Sequence, residues 1–250
     1  MIPKVIHYCW FGKGPKSELM QRCIASWEKY CPDYQIICWD EDRFDVHSVP
    51  FVERACALKQ WAFAADYVRL DVLCRFGGIY LDTDVELLQS LDPLLVNNCF
   101  TAFEAKDTVA TGIIGCEKDH PVIRRLFDCY YGKTFQNDGK GTVITGPMLF
   151  TDVLVNAGLL LTGRQQTISG CTVYPAGLFY PTGLQWITKQ YSKKTVSVHH
   201  YTDSWSGRPA SNGRAFMGRV RLSAVFAGRN LLGTNRMYEL SKFLRGKRSS

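Results

Sequence analysis

The chain has 250 residues, a formal net charge of +7, 46% hydrophobic and 21% charged residues. That length carries one large domain or two small ones with a substantial core, and the composition excludes a low-complexity chain. No uninterrupted apolar run is long enough to cross a bilayer, and no internal repeat occurs.

Ten cysteines form no C-x-x-C pair, and most sit among apolar neighbours, where a free thiol behaves as a small hydrophobe. No signal-peptide pattern precedes Met1-Ile2-Pro3, so the expected setting is reduced and cytoplasmic. The positive excess lies in the last segment, where nine Lys and Arg from Arg214 to Arg248 face Glu239 alone. Apolar residues are spaced helically among them, so residues 214–250 are set apart from 1–213 as a basic amphipathic segment.

In chain order, Lys4 to Phe11 (KVIHYCWF) predicts a strand, followed by the Gly12-Lys13-Gly14-Pro15 loop. Trp10 stands at the strand's carboxyl end, either as a core residue or as a platform for a nucleobase. Ser17 to Lys29 predicts an amphipathic helix capped by Ser17, and Tyr34 to Trp39 a second strand, together a βαβ unit. Asp40-Glu41-Asp42 closes it, as a solvated turn or as a ribose contact. Val52 to Phe76 predicts one long, Ala-rich helix. In it Asp66 and Arg69 are three apart and share a face, either as a structural ion pair or as a grip on sugar hydroxyls.

Gly77-Gly78 then opens Ile79-Tyr80-Leu81-Asp82-Thr83-Asp84. On a strand end, residues i and i+2 point to one side, so Asp82 and Asp84 are expected to converge. Two hard carboxylates suit Mn²⁺ or Mg²⁺, with positions left for water and phosphate. Phe100 to Glu104 and Thr111 to Cys116 predict strands. Pro121 to Tyr131 and the segment opened by Thr145-Gly146-Pro147 predict helices. Thr172 to Tyr180 predicts a loop near the site, and Val196 to Tyr201 a late strand. Adjacent His199 and His200 face opposite ways on such a strand, so at most one meets a metal directly, and spacing does not say which.

Asp66-Tyr67-Val68-Arg69 followed by Gly77 to Asp84 resembles the sugar-binding signature of glycosyltransferase family 32, which includes bacterial capsular transferases and yeast Och-type mannosyltransferases. Ile2 to Gly12 looks like that family's first strand, and His199 to Trp205 like its C-terminal motif. The order also resembles the glucosyltransferase domains of large clostridial toxins. The resemblance implies an α/β fold of GT-A type, with a Rossmann-like nucleotide-binding mixed sheet flanked by helices. It further implies metal-dependent, retaining transfer of a hexose from a nucleotide sugar, UDP-linked by preference, to a growing glycan in bacterial surface polysaccharide synthesis.

By the same resemblance, Trp10, Asp66, Arg69, Tyr80, Asp82, Ser204 and Trp205 would bind the donor, with Asp66, Arg69 and Asp82 at the reacting sugar. Asp84, Asp82, Ser204 and one of His199 and His200 would hold the Mn²⁺ or Mg²⁺. Asp203 and the lack of an Asn near Thr111 depart from the family pattern.

Two rival readings use the same residues. A haloacid-dehalogenase-like phosphatase would use Asp82 as nucleophile and Asp84 as acid/base, but its late acidic pair is missing. A non-catalytic nucleotide-sugar-binding protein would keep the fold without the chemistry. The basic tail lacks a base-reading motif, so nucleic acid is not an expected partner. The tail is expected instead to touch an anionic inner membrane surface, near a lipid-linked acceptor.

Overall fold

The computed structural model describes residues 1–135, 145–181 and 192–202. Ser204, Trp205 and the basic segment 214–250 therefore lie outside the described residues.

The chain begins with β1 (Val5–Cys9), α1 (Glu18–Tyr30) and β2 (Gln35–Trp39), and the two strands pair in parallel. Ser17 caps α1 by accepting from the Met20 N–H at 3.3 Å, and Glu18 and Lys29 sit at the ends that the helix dipole favours. α1 also holds the strand that follows the two aspartates, β4 (Val85–Leu87). The Trp27 indole donates to the Val85 carbonyl at 2.7 Å, and the Leu87 N–H donates to Ser26 Oγ at 2.9 Å.

The predicted long helix is two helices, α2 (Pro50–Ala57) and α3 (Trp61–Phe76). Between them Lys59 takes a left-handed φ of 55°. Its N–H bonds the Cys56 carbonyl at 2.9 Å, and the Gln60 N–H bonds the Ala55 carbonyl at 2.8 Å. This is a Schellman-type stop, with lysine at the position usually given to glycine. The sequence therefore carries no break signal there. α3 is buried on nearly every side, including at Asp66 and Arg69.

β3 (Gly78–Leu81) follows after a turn in which Gly77 has φ 67° and Gly78 has φ 99°. A Cβ on Gly78 would stand 2.8 Å from the Val5 carbonyl oxygen. Left-handed strain and that clash together predict that Gly78→Ala lowers stability by about 1–3 kcal/mol or more, read as an earlier urea midpoint with unchanged slope. An unshifted midpoint would contradict it.

The remaining elements are β5 (Cys99–Ala105), β6 (Thr108–Val109), β7 (Ile113–Cys116), α4 (Pro121–Asp128), α5 (Gly146–Asn156), β8 (Gln166–Ile168), β9 (Cys171–Tyr174) and β10 (Ser197–His199). The main sheet runs β2-β1-β3-β7-β5-β9-β8, with β6 paired to β5. β1 pairs in parallel with both neighbours and β5 with β9, whereas β7 is antiparallel to both β3 and β5. Residues 172–174, expected in a loop, are thus a strand, held by β5 on one side and β8 on the other. β10 pairs antiparallel with β4 in a small second sheet and so carries His199 back to the aspartates.

Alternation along the strands supplies two apolar layers. Ile6, Ile79, Leu81 and Phe100 pack with Trp27 of α1 on one face. Cys9, Tyr80, Ile114 and Phe103 pack with Val68 and Val72 of α3 on the other. The result is an α/β arrangement with helices on both faces of a mixed sheet. All ten cysteines are free thiols. Among the described residues no helix is long and apolar enough to cross a membrane.

His7 on β1 locks the glycine turn. Its Nε2 meets the Gly77 carbonyl at 3.0 Å, so that nitrogen carries the proton, and its Nδ1 accepts from the Trp39 indole at 3.1 Å. A second proton would face the Trp39 donor. Burial accordingly lowers the His7 pKa from 6.5 to about 4, with the Gly77 contact only partly opposing. The unfolded chain binds the extra proton first, so this stability is complete above pH 6.5 and is lost as pH falls from 6.5 toward 4. The limit is about 3 kcal/mol. Urea melts across that window should slope less steeply in His7→Gln than in the wild type; equal slopes would refute the assignment.

Candidate active site

At the carboxyl ends of β1 and β3 lies a cavity of about 680 Å³. Open α/β sheets bind ligands at this position. Its acidic centre is Asp82-Thr83-Asp84, which is a turn between β3 and β4, not the strand end read from the sequence. The Val85 N–H closes that turn on the Asp82 carbonyl at 3.0 Å, and the Asp82 N–H is held by the Gly112 carbonyl at 2.9 Å. Convergence of the two carboxylates therefore comes from turn closure and not from strand alternation.

Arg69 binds the first aspartate. Its Nη2 lies 3.1 Å from both Asp66 Oδ1 and Asp82 Oδ1, its Nη1 donates to the Thr111 carbonyl at 2.7 Å, and its Nε to the Ala65 carbonyl at 3.3 Å. Tyr80, fully buried, lies under the guanidinium, 4.6 Å from ring centroid to Cζ. Burial disfavours the Arg69 charge, but Asp82, Tyr80 and Asp66 more than offset it and keep the guanidinium firmly charged. For Asp66, burial dominates and raises the carboxyl pKa despite Arg69. Asp66 Oδ2 also accepts the Gly146 N–H at 3.3 Å, so the start of α5 docks on it. The ion pair and the cavity wall are one structure, with Asp66, Arg69 and Asp82 all in the lining.

Asp84 is held from the other side. Its Oδ2 accepts from the Thr202 N–H at 2.8 Å and the Thr202 hydroxyl at 2.9 Å, while Oδ1 lies 2.9 Å from His199 Nε2. Burial works against this carboxylate, yet the His199 and Thr202 bonds outweigh it and lower the pKa to about 2. His199 Nε2 is also 4.0 Å from Asp82 Oδ2. Burial opposes the imidazolium, but Asp84, then Asp82 and Glu104, raise its pKa above the usual value. His200 faces the other way, with Nε2 at 2.8 Å from Glu86 Oε2, and is absent from the cavity lining.

Among the described residues no three His, Cys, Asp or Glu side chains form a preformed metal cage. The donor set nevertheless suits a hard divalent cation. Asp84 Oδ1 and Asp82 Oδ2 both lie within 4.0 Å of one imidazole nitrogen. An ion bound there would take its remaining oxygens from water and a ligand phosphate.

Trp10 is half-buried at the cavity wall, and its indole donates to the Gly14 carbonyl at 2.7 Å. Asp40 to Asp42 brace this loop: the Gly12 N–H donates to Glu41 at 2.6 Å, and Lys13 pairs with Asp42 at 2.8 Å. Trp61, Glu104, Gly112 and Tyr180 line the cavity without a motif to announce them. Tyr180 falls in the stretch expected as a loop near the site, and Glu104 left a trace as a single acid inside the apolar run Phe100 to Ala105.

Residues 17–101 match the family model described as the glycosyltransferase sugar-binding region containing a DXD motif. Over that stretch, about a third of its length, the chain is similar to this glycosyltransferase family. It is 29% identical over 133 residues to inositol phosphoceramide mannosyltransferase 3 of Schizosaccharomyces pombe, covering 50% of this chain and 36% of that protein. It is 30% identical over 167 residues to the uncharacterized glycosyltransferase L373 of Acanthamoeba polyphaga mimivirus, covering 61% of this chain and 64% of that protein. The chain thus spans less than two thirds of the length of either relative. In fold it is similar to the PaToxG glycosyltransferase, with a TM-score of 0.50 and 22% identity over 62% of this chain and 69% of that one. The architecture is that of the GT-A glycosyltransferases. Within the matched region the D-x-D residues are Asp82 and Asp84, and that region ends within β5.

Proposed function

We infer that the protein transfers a hexose from a nucleotide-activated donor to an acceptor hydroxyl, with a divalent cation held by Asp84 and Asp82. The carrying observation is that Arg69 ties Asp66 to Asp82 in the wall of the same cavity that holds Asp84 and the two tryptophans. Carboxylates and a guanidinium fixed side by side match the hydroxyls of a sugar, and Trp10 and Trp61 offer faces to a base.

The chain's own residues have separable tasks. Asp66, Arg69 and Asp82 orient the sugar, and their mutual bonds fix that geometry before the ligand arrives. Asp84, fixed by Thr202, and Asp82 present oxygens to the cation, with His199 beside them. When bound, the cation neutralises charge on the departing diphosphate. The sugar centre then carries oxocarbenium-like charge, which the adjacent carboxylates stabilise. Among the described residues no side chain stands out as a covalent nucleophile, so we assign retention to attack by the acceptor hydroxyl on the leaving-group face.

Mannose is the first sugar to test, because a relative is named as a mannosyltransferase, and UDP-linked hexoses follow from the wider resemblance. A glycan or glycolipid hydroxyl is the acceptor class. The phosphatase alternative loses support because Asp82 is bound by Arg69 and no lysine stands among the described lining residues. Release of nucleoside diphosphate from GDP-mannose and a panel of UDP-hexoses, with Mn²⁺ and with chelator, tests the reading. Cation-dependent release from at least one donor is expected. Turnover of p-nitrophenyl phosphate with no response to any nucleotide sugar would overturn it.

A further inference from the structure

Asp66 is held by backbone as well as by Arg69. α5 opens at Gly146, whose N–H donates to Asp66 Oδ2 at 3.3 Å. A Cβ on Gly146 would stand 2.9 Å from Asp66 Oδ1, 3.1 Å from its Cγ and 3.3 Å from Oδ2, so a methyl there would run into the whole carboxyl group. The φ of Gly146 lies outside the left-handed region, and alanine ordinarily makes the more stable helix. Glycine at 146 therefore serves the close approach of α5 to Asp66.

The helix is anchored independently of that contact. Phe150 and Leu154 are fully buried in the layer that α3 packs. Thr151 Oγ1 accepts the Val109 N–H of β6 at 2.9 Å, and its hydroxyl donates to the Pro147 carbonyl at 2.7 Å. Thr145 and Pro147, on either side of Gly146, line the cavity. Asp66 Oδ1, the atom nearest an added methyl, is the one that Arg69 Nη2 holds at 3.1 Å.

We propose that Gly146 is a positioning residue for sugar binding: the first turn of α5 sets the Asp66 carboxyl against Arg69 in the orientation that engages the donor sugar. A carboxyl held from two sides keeps one orientation before the ligand arrives. Because α5 is fixed in the core, a methyl at 146 displaces the end of the Asp66 side chain and not the helix. Burial raises the Asp66 pKa, and Arg69 and the Gly146 N–H both oppose it, as expected of a carboxylate kept for ligand contact. In the proposed function the diphosphate and base fall to Asp84 and Trp10, so the displacement acts on the sugar alone.

The proposal rests on the nucleotide-sugar reading, and calorimetric titration separates the two. Wild type, Gly146→Ala, Asp66→Ala and the double variant are titrated in Mn²⁺ with GDP and UDP and with GDP-mannose and UDP-glucose. Gly146→Ala should weaken the nucleotide sugar that the wild type binds by about tenfold, and change the matching diphosphate by less than about threefold. In the Asp66→Ala background the same alanine has nothing to displace and should change neither by more than about twofold. An alanine variant that folds only in that background also supports the proposal. Wild-type sugar affinity in Gly146→Ala, equal loss of sugar and diphosphate, an equal effect in both backgrounds, or failure to fold in both would overturn it and leave the functional reading standing. A wild-type chain that binds none of these ligands would overturn both.

Discussion

Asp84→Asn loses cation-dependent transfer by at least about a thousandfold in kcat, equivalent to about 4 kcal/mol, while the fold stays intact. The substitution is nearly isosteric, and the amide oxygen can still accept the Thr202 N–H and hydroxyl at Oδ2's place. Its NH₂ group then faces His199 and has no lone pair to offer a cation. The cost falls on charge: His199 and Thr202 hold this carboxylate at a pKa of about 2, so it is a firmly ionised oxygen donor. A single cooperative urea transition with stability lowered by at most about 2 kcal/mol, together with donor turnover at background, is the expected pair of results. Wild-type turnover in this variant would remove Asp84 from the metal site.

Arg69→Met has the largest expected effect on stability, about 3–5 kcal/mol. The guanidinium is 5% exposed and serves two carboxylates and two carbonyls at once. Methionine fills much of the volume but leaves Asp66 and Asp82 facing each other with no cation between them. Asp66, already raised by burial, would rise further. The unfolded chain then holds fewer protons than the folded one, so the deficit should shrink as pH is lowered toward 5. Arg69→Lys should restore little, because one ammonium cannot reproduce three directed N–H bonds and the ion pair with Asp66. Urea melts of both variants at pH 7.5 and pH 5 check this. A methionine variant as stable as the wild type would mean that the network contributes nothing to the fold.

Those two residues were legible early because their signals are local. A carboxylate and a guanidinium three apart in an apolar helix, then two glycines and D-x-D, need no tertiary knowledge to be noticed. The first βαβ unit was equally plain, with Ser17 capping and the strands bounded by turns. The break at Lys59 was not, because a left-handed lysine held by backbone bonds leaves no composition mark. Strand 171–174 was missed because its proline and aromatic neighbours read as loop, and only pairing with β5 and β8 settles it. Trp61 of α3, Glu104 of β5, and Gly112 and Tyr180 of two connecting segments meet only when the sheet is assembled. The histidine pair divides as alternation requires, with His199 on Asp84 and His200 on Glu86.

In the proposed function Asp82 and Asp84 hold a cation through which the cavity takes a nucleotide sugar. Equilibrium binding of the donor that the wild type turns over, measured with Mn²⁺ and after chelation in wild type and Asp84→Asn, tests it most directly. Tight binding is expected only in the wild type with Mn²⁺, with chelator and mutation each costing about a hundredfold or more. Equal affinity in all four conditions would contradict it.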